Sequence, residues 1–79
     1  MANDTKTLGD RVRDGRVARG LTQEALAAEA GLSVDTIRRI EQGRSNGDVD
    51  SLDALARVFT TTIELLRDGP SKERRARRA

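Results

Sequence analysis

Within seven consecutive residues, Ser33 to Arg39, the chain places two guanidinium groups, a carboxylate and two hydroxyls. Guanidinium forks donate in pairs to planar acceptors and to phosphate oxygens, and short hydroxyls donate or accept beside them. These are tools for recognising an anionic or hydrogen-bonding surface. The rest of the composition leaves little else. There is no histidine and no cysteine, which removes the commonest general base, the commonest transition-metal ligand, the thiolate nucleophile and any disulfide framework. Catalysis would need a carboxylate pair or an activated Ser or Lys, and none stands at suitable spacing. No enzyme activity, cofactor or metal site is expected. Phe59 is the only aromatic residue, so recognition of single strands or RNA by stacking has almost nothing to work with.

The elements that would hold these side chains are legible on either side of them. In the run Gln23 to Glu41, Ala27 is small enough for a close helix crossing, and Gly31 suits a turn with positive φ. Leu32 can tuck beneath that turn, Ser33 can cap a new helix, and Ile37 and Ile40 recur at helical spacing. Two short helices joined by a minimal turn are the arrangement of a DNA-binding helix-turn-helix.

The full 79 residues provide one small domain with a modest core. The formal charge of +2 is unevenly spread. Residues 72–79 carry Lys72, Arg74, Arg75, Arg77 and Arg78 against Glu73, a net of +4, whereas the preceding chain has 10 basic and 12 acidic side chains. Affinity for nucleic acid would therefore rest on local arginine clusters and the tail. No apolar run approaches the roughly 20 residues of a membrane span, and the N-terminus lacks a signal-peptide profile. Cytoplasmic residence without membrane association is the expectation.

Along the chain, residues 1–6 are polar and expected to be disordered, residues 7–69 form the domain, and residues 70–79 form a flexible basic tail. The first helix starts at Thr7, whose pairing with Asp10 suits an N-cap, and presents Leu8, Val12 and Ala18 inward. Gly15 lies inside it, best explained by close packing against another helix, and Gly20 ends it. Thr22 caps the second helix, Gln23 to Ala30, with Leu26 as its main core contact. The third runs from Val34 to about Gln42 and stops at Gly43. After the loop from Arg44, a fourth helix is expected to open at Asp50 or Ser51 and to bury Leu52, Leu55, Ala56 and Phe59. The run Thr60 to Thr62 breaks it and caps a last helix, Ile63 to Arg67, which Asp68-Gly69-Pro70 stops. No strand pattern is present.

The simultaneous presence of Ala27, Gly31, Leu26, Ala30, Leu32, Ile37 and Ile40, with the flanks GLTQEALA (residues 20–27) and IEQGR (residues 40–44), resembles the helix-turn-helix family of phage repressors, Cro proteins and xenobiotic-response-element-type bacterial regulators. The resemblance covers roughly Leu8 to Gly69. It implies an all-α, five-helix lambda-repressor-like fold and a sequence-specific regulator, by expectation a bacterial or phage-encoded repressor. Such a protein would bind double-stranded DNA as a homodimer on a pseudo-palindromic operator, its half-sites about 10–10.5 bp apart.

The same resemblance assigns roles. Thr22 and Gln23 would meet a phosphate at the positive end of the second helix. The third helix would enter the major groove with Ser33, Val34, Asp35, Thr36 and Arg39 facing the DNA and Arg38 alongside. By its chemistry, Arg39 suits guanine O6 and N7, Thr36 a base or a thymine methyl, and Val34 a thymine methyl alone. Asp35 could accept from cytosine N4, hold Arg38 or Arg39 in position, or simply complement the helix dipole. Arg44, with Asn46 as a weaker neighbour, would contact phosphate. Arg16 and Glu41 match an ion pair that braces the recognition helix in related repressors. Ile63, Leu65 and Leu66 are dimer candidates, although Ile63 or Leu66 could equally close the core. Thr60 and Thr61 depart from the family pattern, which commonly has a Gly and an apolar residue there. The competing function is a protein-interaction module on the same fold, such as an antitoxin or a factor bridging to RNA polymerase or a toxin.

Overall fold

A computed structural model describes residues 6–69, which form five α-helices: α1 Leu8–Ala18, α2 Gln23–Ala30, α3 Val34–Glu41, α4 Val49–Val58 and α5 Ile63–Asp68. The expected N-terminal segment up to residue 5 and the basic tail from residue 70 lie outside the described residues. Each helix is opened by a side-chain oxygen that accepts from a backbone N–H in the first turn: Thr7, Thr22, Ser33, Asp48 and Thr62. Such caps contribute about 1 kcal/mol each. Thr7 and Asp10 form a reciprocal capping box.

The fourth helix begins at Val49, earlier than the expected Asp50 or Ser51. The Asp48 carboxylate accepts from the Ser51 N–H at 2.9 Å, and this cap sets the start. Ala18 also departs from expectation, because it is exposed. It closes the last turn of α1, where the chain is already leaving the core. There the Gly20 and Leu21 N–H groups donate back to the Val17 and Arg16 carbonyls.

The core is a single cluster drawn from all five helices. Val12, Leu26, Ile37, Ile40 and Leu55 are fully buried, with Leu8, Ala27, Leu52 and Leu66 around them. α1 packs on α3 and α5, α2 on α3 and α4, and α4 on α5. Gly15 meets Phe59 at the end of α4, as its place inside a helix suggested: a Cβ there would lie 3.1 Å from the ring. The Arg19 guanidinium covers the same ring at 5.3 Å. α5 is tied to α1 by Arg11, whose guanidinium donates to the Arg67 and Asp68 carbonyls. None of the described helices is long and apolar enough to cross a membrane.

Candidate nucleic-acid interface

The turn between α2 and α3 occupies three residues. Gly31 adopts φ 71°, and the Gly31 and Leu32 N–H groups donate to the Ala28 and Ala27 carbonyls. A residue with a Cβ is disfavoured at that φ, which is why glycine stands there. Leu32 is half-buried against the core beneath the turn. Ser33 then caps α3 through the Thr36 N–H.

A charged brace fixes α3 against α1 and α2. Arg16 donates from Nε to Glu41 Oε2 at 2.7 Å and from a terminal nitrogen to Oε1 at 3.1 Å. Its other terminal nitrogen donates to the Leu21 carbonyl at 3.1 Å, and Gln23 Nε2 adds a fourth bond, to Glu41 Oε1 at 3.2 Å. The two charged side chains are only 16% and 5% exposed. The hydrogen bond to Glu41 raises the Arg16 pKa above its ordinary value, so the guanidinium stays charged. Among the described residues no buried side-chain polar atom lacks a partner. Gln23 therefore enters this network as well as standing at the start of α2, a placement that its position in sequence did not disclose.

The outer face of α3 is divided among its residues unequally. Val34 is half-buried and packs against the core. The Thr36 hydroxyl lies 2.9 Å from the Ser33 hydroxyl, which leaves the Thr36 methyl for apolar contact. Asp35 and Arg39, one turn apart, form an ion pair with Arg39 Nε 3.1 Å from Asp35 Oδ2, and their side chains are 66% and 62% exposed. Arg38 is exposed beside them. Arg44 is exposed just past the end of α3, its N–H donating to the Arg39 carbonyl at 2.8 Å. Asn46 is exposed in the following loop, and Thr22 is exposed at the head of α2 with its hydroxyl engaged by the Ala25 N–H.

Of the three apolar residues expected on the dimer face, Leu66 is 4% exposed and belongs to the core. α5 turns Leu66 onto the cluster that includes Leu8 and Leu52. Ile63 and Leu65 are half-buried, Ile63 against the core. Gly9 is a further position that matters, and its sequence context gives no sign of it. It is buried in α1 where a Cβ would overlap the Ile40 carbonyl and sit 2.9 Å from that of Glu41. A glycine one residue into an amphipathic helix carries no periodic signal, so only the crossing reveals it.

A family model described as a helix-turn-helix domain matches residues 7–68. An uncharacterized HTH-type transcriptional regulator of Archaeoglobus fulgidus is 39% identical over 54 residues, 68% of this chain and 77% of that protein. The HTH-type transcriptional regulator DdrOP3 of Deinococcus deserti is 34% identical over 62 residues, 78% of this chain, which spans 48% of that relative's length. Among solved structures, the P22 c2 repressor in complex with a synthetic operator superposes with a TM-score of 0.79 at 26% identity, covering 84% of this chain and all of that one. With five helices, an α2–α3 turn of three residues and a match that spans almost every described residue, the chain belongs to the helix-turn-helix domain family and has the fold of a repressor-type DNA-binding domain.

Proposed function

We propose that this protein is a transcriptional regulator of repressor type that binds double-stranded DNA sequence-specifically, as a dimer on a pseudo-palindromic operator, with α3 in the major groove. The observation that carries this reading is the contrast between the two sides of α3. Its inner side is fixed by Ile37, Ile40 and the Arg16–Glu41 brace, while its outer side exposes Asp35, Arg38 and Arg39, of which Asp35 and Arg39 pair with each other at the surface. A helix held rigidly to present arginines outward suits a groove whose bases and phosphates accept hydrogen bonds.

Arg39 is the residue for guanine, and the Thr36 methyl and the open side of Val34 meet thymine methyls. Arg38, Arg44 and Asn46 reach phosphates, and the first-turn amides of α2 and α3 behind Thr22, Gln23 and Ser33 add neutral donors to them. The domain is taken as residues 7–69, with the basic tail adding nonspecific phosphate attraction. The two-fold contact is assigned to α5 through Leu65 and the outer edge of Ile63.

Selection of bound sites from random duplex DNA tests this directly. The expected sites hold two inverted half-sites about 10–10.5 bp apart. Arg39→Ala should remove the preference at one base pair per half-site. Arg44→Ala should weaken every sequence alike and lower the salt slope by about one phosphate contact. Failure to enrich any sequence, or indifference to both substitutions, would sink the proposal.

A further inference from the structure

Asp35 is an anomaly on the face assigned to DNA. A carboxylate there is repelled by phosphate, and an exposed ion pair one turn apart contributes little to stability that could compensate. Its geometry offers another reason. Asp35 Oδ2 lies 3.1 Å from Arg39 Nε, as an ion pair within one turn of α3. The contact is made through Nε, whereas the two terminal nitrogens are the donors able to approach guanine O6 and N7 side by side. An arginine otherwise brings a rotamer-rich side chain that must be immobilised on binding. A neighbour fixing Nε narrows that freedom before DNA arrives. Two of the other residues assigned to bases contribute less polar reach, since Val34 packs against the core and the Thr36 hydroxyl lies beside that of Ser33.

Resting on the DNA-reading function above, we propose that Asp35 is a specificity-determining positioning residue: it sets Arg39 for a guanine and does not itself read a base. Its negative charge also offsets that of Arg39, so the pair gains little from phosphates alone and contributes mainly when the guanine is present. Discrimination is raised at the expense of nonspecific affinity.

A second pair supplies an internal control. Asp53 and Arg57 on α4 have the same spacing and the same Nε–Oδ2 distance of 3.1 Å, but lie off the recognition helix. The full chain and its variants Asp35→Asn, Asp35→Glu, Arg39→Ala and Asp53→Asn are compared on the selected site and on every single-base change of it. Where Arg39→Ala erases a guanine preference of about tenfold, Asp35→Asn should reduce the preference at that same base pair at least about threefold. Binding of Asp35→Asn to unrelated duplex should tighten at the same time. Asp35→Glu, which can restore the one-turn ion pair, should recover most of the preference, and Asp53→Asn should change nothing. A lost preference at a different base pair would mean that Asp35 reads a base directly and would overturn the proposal, as would a silent Asp35→Asn. A wild-type chain that enriches no sequence would instead defeat the DNA-reading function beneath it.

Discussion

Gly9 in α1 lies directly against the Ile40 carbonyl in α3, so that a methyl group on Gly9 would occupy the space of that oxygen. The contact joins backbone to backbone, and neither side has a rotamer with which to yield. Gly9→Ala should therefore destabilise the domain by about 1–3 kcal/mol through overpacking, despite the better helix propensity of alanine. For a chain of this size each kcal/mol lowers Tm by about 4–8 °C. Gly15→Ala is the contrast, because its obstacle is the Phe59 ring at 3.1 Å, a side chain that can shift. Its loss in thermal unfolding should be clearly smaller. Equal losses would show that the crossing at Gly9 is not the tight point.

The brace between Arg16 and Glu41 makes a second prediction. Glu41→Ala strands a guanidinium that is only 16% exposed, and Arg16→Ala strands a carboxylate that is 5% exposed. Either change should cost about 3 kcal/mol, because a mostly buried charge loses its partner. The double variant Arg16→Met/Glu41→Leu should recover most of that loss, since the pair contributes more to geometry than to net stability. Denaturant midpoints of the three variants check this, and a double variant as unstable as the sum of the singles would contradict it.

Thr60 has φ 57° at the link between α4 and α5. The left-handed region is unfavourable for a β-branched residue, yet the Thr60 and Thr61 N–H groups close α4 by donating to the Arg57 and Ala56 carbonyls. Thr60 thus takes up a left-handed conformation that a glycine would adopt freely. Thr60→Gly should stabilise the domain by about 1 kcal/mol by releasing this strain. Calorimetry would show a higher Tm, and an unchanged or lower one would rule the strain out.

Two helix starts make stability depend on pH. The carboxyl of Asp10 is held below its ordinary value of 3.8 chiefly by the backbone hydrogen bond from Thr7. That of Asp48 is held below 3.8 chiefly by its hydrogen bonding with Ser51. A lowered folded-state pKa means that the stabilisation is fully present above the unfolded value. It is lost as pH falls from that value through the folded one. Unfolding between neutral pH and pH 2 should show the wild type losing more stability below about pH 4 than the Asp10→Ala/Asp48→Ala variant. Parallel curves would contradict this.

Much of the molecule is legible in its sequence. Thr7, Thr22, Ser33 and the threonine run announced helix starts by cap chemistry, and Gly20, Gly31 and Gly43 announced ends. Ile37 and Ile40 gave the inner face of α3 by period alone, which local backbone geometry is enough to produce. The start of α4 is not legible in the same way, because Asp48, Asp50 and Ser51 are all competent caps in sequence, and only the path of the loop selects Asp48.

What only the tertiary structure decided are matters of distance between helices far apart in sequence. Gly9 has no meaning until α3 crosses it. Gln23 is a group for phosphate in the sequence and becomes also a donor to Glu41 once α2 and α3 are brought together. Leu66 could have met a second copy until α5 turned it inward. The period and the caps of each helix are short-range properties written in neighbouring residues. Which side chains meet across helices depends on how five faces close over one core, and no local pattern encodes that.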